Sequence, residues 1–217
     1  MRFKFPSRFY FITHRPGSQN GILQDVGEAL EAGVRIVQYR EKELPLRRQL
    51  EEAEELLEIC GNFGATLVVD DRVDIALAVG ADGVHLGPDD MPPELARRLL
   101  GSGKLVGVSV GSVEEALKAQ EAGADYLGVG PIFPTSTKPD AGPPIGLQGL
   151  RAVRRAVHLP IVAIGGITPE RAGAVMEAGA DAVCAISAVV GERVGEKIRA
   201  FLHQIEVRGD DPVGIRP

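Results

Sequence analysis

The chain contains no tryptophan, only two cysteines, no excess of positive charge and no long apolar run. Each shortage excludes something. A membrane-spanning helix needs about 20 consecutive apolar residues, and no stretch supplies them, so no membrane partner is expected. Cys60 and Cys184 lack metal-ligand spacing and read as buried thiols of a reducing compartment. The first residues, Met1 to Arg8, lack the apolar segment of a signal peptide. The expected location is therefore cytoplasmic. Lys and Arg total 24 against 30 Asp and Glu, a net charge of −6, so no nucleic-acid partner is expected. Cations that serve an anionic ligand would have to be placed locally. Glycine is plentiful, at 27 of 217 residues, in a chain that is 44% hydrophobic. That suits one sizeable α/β core with many tight turns.

Apolar periodicity alternates between strand and helix about eight times. Strands are predicted at Phe9–Ile12, Val34–Tyr39, Thr66–Val69, Gly83–Leu86, Leu105–Ser109, from Tyr126, at Pro160–Ile164 and at Asp181–Ala185. Helices are predicted between them, including Gly21–Ala32, Pro45–Phe63, a helix opened by Ser112, one opened by Thr168-Pro169, and Gly195–Ile205. Gly33, Gly80, Gly123 and Gly179 lie where helices should end and strands begin, a place for left-handed backbone. The pattern predicts a single (β/α)8 TIM barrel over residues 1–206, with a loose tail over 207–217 rich in Gly, Pro and charge. An open doubly wound sheet is the rival. The barrel is preferred because polar motifs follow nearly every strand.

In a barrel those motifs share one face. The sixth strand breaks at Gly130-Pro131 and Pro134 into Thr135, Ser136, Thr137 and Lys138, because proline removes a ladder donor. Hydroxyls and an ammonium at a strand mouth suit a phosphate-like anion. Arg40 and Lys42 follow the second strand, and alternation puts Gln38, Arg40 and Lys42 on one side. A planar fork and a compact charge together suit a diphosphate; taken alone, the two read rather as surface charges beside Glu41 and Glu43. Asp70 and Asp71 end the third strand, and Asp89 and Asp90 the fourth. Such carboxylates can hold Mg²⁺ that also takes phosphate oxygens, or can simply cap the helices that follow. Gly165-Gly166 and Ile186-Ser187 follow the last two strands, the usual barrel location for a monophosphate. Ser109 ends the fifth strand and His85 lies in the fourth. The picture is a pocket with a Mg²⁺–diphosphate end and a monophosphate end. Its chemistry would be electrostatic, stabilising a departing diphosphate.

The chain resembles the thiamine phosphate synthase family. The matching stretches are Gln38–Lys42, Asp71–Leu77, Asp82–Gly87 with Asp90, Gly130–Lys138 and Ala163–Ile167. The resemblance implies a barrel that joins an aminopyrimidine methyl diphosphate to a thiazole phosphate, giving thiamine phosphate and diphosphate. By position it implies that Arg40, Lys42, Ser109 and Lys138 hold the diphosphate and that Asp71 and Asp90 bind Mg²⁺. Gln38 and His85 would lie by the pyrimidine, and Thr135 and Thr137 would line the pocket. Gly166, Ile186 and Ser187 would take the thiazole phosphate. The expected partners are these small molecules, with a homo-oligomer left open. Two positions depart from the family pattern: Asp70 stands where Asn is usual, and Gly111 where His is often found. An unpaired carboxylate at 70 would repel diphosphate. The related thiazole tautomerases use a histidine at the 111 position, and its absence argues against that isomerase activity, which as an alternative would need His85 as its proton carrier. A barrel that binds thiazole phosphate or thiamine phosphate without turnover is another.

Overall fold

A computed structural model describes residues 3–137 and 142–209 of the chain. Eight parallel strands form one sheet in sequence order: β1 (Phe11–Ile12), β2 (Ile36–Tyr39), β3 (Thr66–Asp70), β4 (Gly83–Leu86), β5 (Leu105–Val110), β6 (Tyr126–Val129), β7 (Ile161–Ile164) and β8 (Ala182–Cys184). A parallel bridge between Phe9 and Val183 closes the ring, with Tyr10 N–H donating to Val183 O at 2.9 Å and Val183 N–H to Arg8 O at 2.9 Å. The rival open sheet would leave those groups unpaired at an edge. Eight helices follow the strands: α1 (Ile22–Glu31), α2 (Leu46–Asn62), α3 (Val73–Val79), α4 (Pro93–Leu100), α5 (Val113–Glu121), α6 (Gly146–Ala156), α7 (Pro169–Glu177) and α8 (Val194–Gly209). The molecule is a (β/α)8 barrel.

The period of two in the strands divides their side chains between two cores. Inward positions include Tyr10, Ile36, Val68, Tyr126, Val162 and Ala182, which form a barrel-interior cluster. Outward positions such as Val37, Leu67, Val84, Val106, Leu127 and Val183 join the helices in the larger cluster. Helix α1 shows how the outer layer is fixed: Ile22, Val26, Ala29 and Leu30 fall at helical spacing and are all buried. Burying each of its larger side chains is worth roughly 1.5–3 kcal/mol. The joints behave as their sequence predicts, with Gly33, Gly80, Gly123 and Gly179 all at positive φ. Ser112 caps α5 by accepting from Glu115 N–H at 3.1 Å.

Most boundaries shift by one or two residues. β1 is shorter than expected because Phe9 and Tyr10 pair with the β8 side instead. α8 begins at Val194, one residue before the expected Gly195. At its other end α8 continues to Gly209, past the expected Ile205. The rest of the expected tail, from 210 on, lies outside the described residues, as does Lys138.

Candidate active site

A cavity of about 860 Å³ opens over the C-terminal ends of the strands. Inward alternation brings Gln38 and Arg40 to it from β2 and its loop, Asp70 from β3, His85 from β4 and Ser109 from β5. Lys42, Asp90, Thr135 and Thr137 reach it from the loops, and Gly166, Ile186 and Ser187 close its far side. Asp71 sits just behind this lining, bonded to the Lys42 ammonium. Ser136 is exposed and outside this lining, whereas the other described residues read as site candidates gather around one space.

The loop after β2 shows how the cations are aimed. Glu41 points away from the cavity and is buried. Its carboxylate accepts from Glu43 N–H at 2.8 Å and Leu44 N–H at 3.2 Å, and pairs with Arg15 at 2.5 Å. Fixing residue 41 outward turns residues 40 and 42 inward. Arg40 and Lys42 are thus not a stray pair of surface charges. Arg40 Nε lies 3.6 Å from Asp70 Oδ2, and Lys42 Nζ lies 2.8 Å from the same oxygen. Lys42 also bridges to Asp71. Asp70, the position that departs from the family pattern, is therefore matched by two cations and does not face the cavity unpaired.

The carboxylates are not helix caps. α3 starts from Arg72 and α4 from Pro92. Asp71 instead adopts a left-handed φ of 53° while donating its N–H to His85 O at 2.8 Å. Non-glycine residues pay for that conformation, and such strain gathers at functional sites. The twist carries its carboxylate toward Lys42 and leaves Oδ1 buried without a hydrogen-bond partner. Asp90 Oδ2 accepts from Gly87 N–H at 2.6 Å, which folds its loop back toward the rim. Burial raises the Asp70 and Asp71 carboxyls above their ordinary values; Lys42 pulls both down, and Asp90 pushes both up. Burial also works against the Lys42 ammonium, but its bonds to Asp70 and Asp71 outweigh that and raise it. Among the described residues, two cations, Arg40 and Lys42, thus face three carboxylates, Asp70, Asp71 and Asp90. That excess of negative charge and the orphaned oxygen fit a divalent cation. Among the described residues no three His, Cys, Asp or Glu side chains could hold a metal unaided. Mg²⁺ commonly uses one or two carboxylates and fills its other positions with water and phosphate oxygens.

The opposite side of the cavity is built from backbone. Gly165 and Gly166 both take positive φ, and a Cβ on Gly166 would sit 2.8 Å from Phe133 Cβ. Only glycine lets this turn pack against the 131–134 loop, to which it is joined by Phe133 N–H donating to Gly165 O at 2.9 Å. Thr137 N–H donates to Thr135 Oγ1 at 3.3 Å, which orders the hydroxyl loop. Turn backbone, Ser187 and two threonine hydroxyls offer neutral donors, the chemistry that suits a phosphate without a metal. Gly111 offers no side chain at all, and its N–H donates to Glu115 Oε2 at 2.6 Å.

Sequence reading missed the floor. Tyr10 and Tyr126 meet beneath the cavity, their hydroxyl oxygens 2.9 Å apart, and Phe3 and Phe5 stack against Tyr126 from below. The signal was an aromatic residue on one strand opposite glycine on the next, Gly107 pairing with Tyr126. That signal needs the strand register to be readable.

Comparisons with known proteins agree with this geometry. A family model described as thiamine monophosphate synthase matches residues 9–189. A thiamine-phosphate synthase of Chloroflexus aurantiacus is 55% identical over 184 residues, covering 84% of this chain and 85% of that protein. One from Methanosarcina barkeri is 53% identical over 182 residues, covering 84% and 82%. The solved structure of a thiamine phosphate pyrophosphorylase from Pyrococcus furiosus superposes with a TM-score of 0.85 at 43% identity, covering 93% of this chain and 96% of that one. This chain belongs to the thiamine monophosphate synthase family.

Proposed function

We propose that this protein is a thiamine phosphate synthase, a transferase that joins an aminopyrimidine methyl diphosphate to a thiazole phosphate. The observation that carries the reading is a single cavity with two unlike ends: a rim of Arg40, Lys42 and three carboxylates, and a glycine–serine–threonine pocket across from it. One end suits a diphosphate with its metal, the other a monophosphate. The carbon–oxygen bond to diphosphate breaks with its electron pair leaving on the diphosphate. The thiazole nitrogen then gives its pair to the pyrimidine methylene, forming the new carbon–nitrogen bond. Arg40 and Lys42 stabilise the departing charge, and Ser109 adds a neutral donor. Asp71 and Asp90 would hold Mg²⁺, which supplies charge neutralisation for the leaving diphosphate. Gln38 and His85, deep in the cavity, orient the pyrimidine. Gly166, Ile186 and Ser187 hold the thiazole phosphate so that its nitrogen faces the methylene carbon.

The thiazole tautomerase alternative is weaker here. Gly111 carries no proton, and both ring nitrogens of His85 are engaged, by Tyr126 at 3.1 Å and Ser109 at 2.9 Å. Two buried free thiols, Cys60 and Cys184, fit a cytoplasmic location. Among the described residues no helix is long and apolar enough to cross a membrane. Incubating the protein with both substrates and Mg²⁺ tests the assignment. Thiamine phosphate and diphosphate should appear in equal amounts, and well-folded protein that yields neither product contradicts the reading.

A further inference from the structure

A continuous line of polar contacts crosses the barrel floor. Gln38 Nε2 donates to the Tyr10 hydroxyl oxygen at 3.1 Å. The Tyr10 and Tyr126 hydroxyl oxygens are 2.9 Å apart. The Tyr126 hydroxyl lies 3.1 Å from His85 Nδ1, and His85 Nε2 lies 2.9 Å from Ser109 Oγ. The line joins β2, the residue before β1, β6, β4 and β5; Gln38 and His85 reach the proposed pyrimidine position and Ser109 the diphosphate, while Tyr126 lies outside the cavity lining. It is sealed from below: Phe5 packs edge-on against both Tyr10 and Tyr126, and Phe3 covers Tyr126. Tyr10 is 1% exposed, Tyr126 0%, Gln38 2% and His85 8%, so water does not compete for these bonds.

The barrel makes room for this line. A Cβ on Gly107 would overlap the Tyr126 ring, and one on Gly128 would sit 2.9 Å from His85 Cε1. A buried, fully paired polar chain also has a direction. The Tyr10 oxygen already takes the Gln38 proton, so the Tyr10 proton goes to Tyr126. The Tyr126 proton then goes to His85 Nδ1, which leaves the imidazole proton on Nε2 to be donated to Ser109 Oγ. In the reverse sense, with Gln38 still donating, the Tyr10 proton has no acceptor along the line, and a buried donor without a partner is the costlier arrangement.

We propose that Tyr10 and Tyr126 are positioning residues that fix His85 in its Nε2–H tautomer and so leave the Ser109 hydroxyl proton free to be donated into the cavity. The kinetic half of this inference rests on the reading of Ser109 as a diphosphate contact; the tautomer does not. Turning the Gln38 amide over would run the line backward, put the proton on Nδ1, and spend the Ser109 proton on His85. A donor at 109 suits an anionic ligand, whereas an acceptor there repels one. The tyrosine pair therefore couples the pyrimidine side of the pocket to the diphosphate side through one chain of protons.

The test uses the full chain labelled with [15N]histidine, with long-range 1H–15N correlation spectra and His85 assigned by comparison with His85→Gln. Wild type should show a neutral Nε2–H ring, and Tyr126→Phe, which keeps the aromatic packing, should show a mixture of tautomers. In turnover assays Tyr126→Phe should lower kcat/KM for the aminopyrimidine diphosphate roughly tenfold, the size of one lost hydrogen bond, with KM for the thiazole phosphate unchanged. Adding Tyr126→Phe to Ser109→Ala should cost little more than Ser109→Ala alone, because the two act through one path. An Nδ1–H ring in wild type overturns the proposal, as does a Tyr126→Phe effect that adds in full to Ser109→Ala. If the protein makes no thiamine phosphate, the proposed function fails, and the wild-type tautomer still decides this inference without any variant having to fold.

Discussion

Replacing Asp71 by Asn should strengthen the metal-free fold while removing its response to metal. In the structure Asp71 Oδ1 is buried without a partner, and Asp70 and Asp90 raise the carboxyl further on top of its burial. A carboxyl whose pKa is raised by folding is one whose ionised form costs the fold stability at neutral pH. Asn leaves that oxygen's site unpaired but removes the ionised charge beside Asp70 and Asp90, which returns about 1.4 kcal/mol for each unit by which folding raises the pKa. The lost Lys42 pair takes back about 0–1 kcal/mol, since Lys42 keeps Asp70 at 2.8 Å. Asn tolerates the left-handed φ of 53° about as well as Asp does. The net expectation is a gain of about 1 kcal/mol, or ~2–4 °C in Tm for a chain of this size. Saturating Mg²⁺ with inorganic diphosphate should stabilise wild type by about 2.7 kcal/mol at a hundred times Kd, and the variant by far less. Scanning calorimetry with EDTA, and then with Mg²⁺ and diphosphate, reads both effects, and the order of the two melting temperatures should invert. A variant less stable than wild type in EDTA, or one that gains as much from the ligands, would refute the reasoning.

Two further perturbations separate scaffold from site. Burial pushes the Glu41 carboxyl up, but Arg15 and the Glu43 and Leu44 amides outweigh it and hold it below its ordinary value of 4.5. Its contribution is therefore complete above the unfolded value and is lost as pH falls through the lower folded one. Glu41→Gln should cost about 2 kcal/mol at neutral pH, and urea melts of variant and wild type should converge as the pH falls below that ordinary value; a gap independent of pH would count against this role. Gly128→Ala places a methyl against His85 Cε1. It should destabilise by roughly 1–3 kcal/mol and lower turnover out of proportion to its effect on the thiazole phosphate KM, which steady-state kinetics on folded protein would show.

Much of this molecule was legible in its residues, for identifiable reasons. The barrel followed from helical and strand periods and from glycines such as Gly33 and Gly179, whose left-handed backbone is a local property. Arg40, Asp70, His85 and Ser109 were legible because alternation and strand order put them at one rim, and neither depends on tertiary detail. What stayed hidden depends on contacts between distant strands. Glu41 read as a neighbouring surface charge, yet its burial against Arg15 is what aims Arg40 and Lys42. Asp71 and Asp90 read as caps or as ligands, and only the starts of α3 at Arg72 and α4 at Pro92 removed the capping reading. The Tyr10–Tyr126 pair spans 116 positions and rests on Gly107 lying opposite Tyr126 in register. No local pattern encodes that.

Titrating inorganic diphosphate into the protein by calorimetry, with Mg²⁺ and then with EDTA, tests most directly whether the charged rim is a metal-dependent anion site. The account predicts heat from a single site in Mg²⁺ and none in EDTA, with Asp90→Asn resembling the EDTA case. Equal binding in both conditions would contradict it.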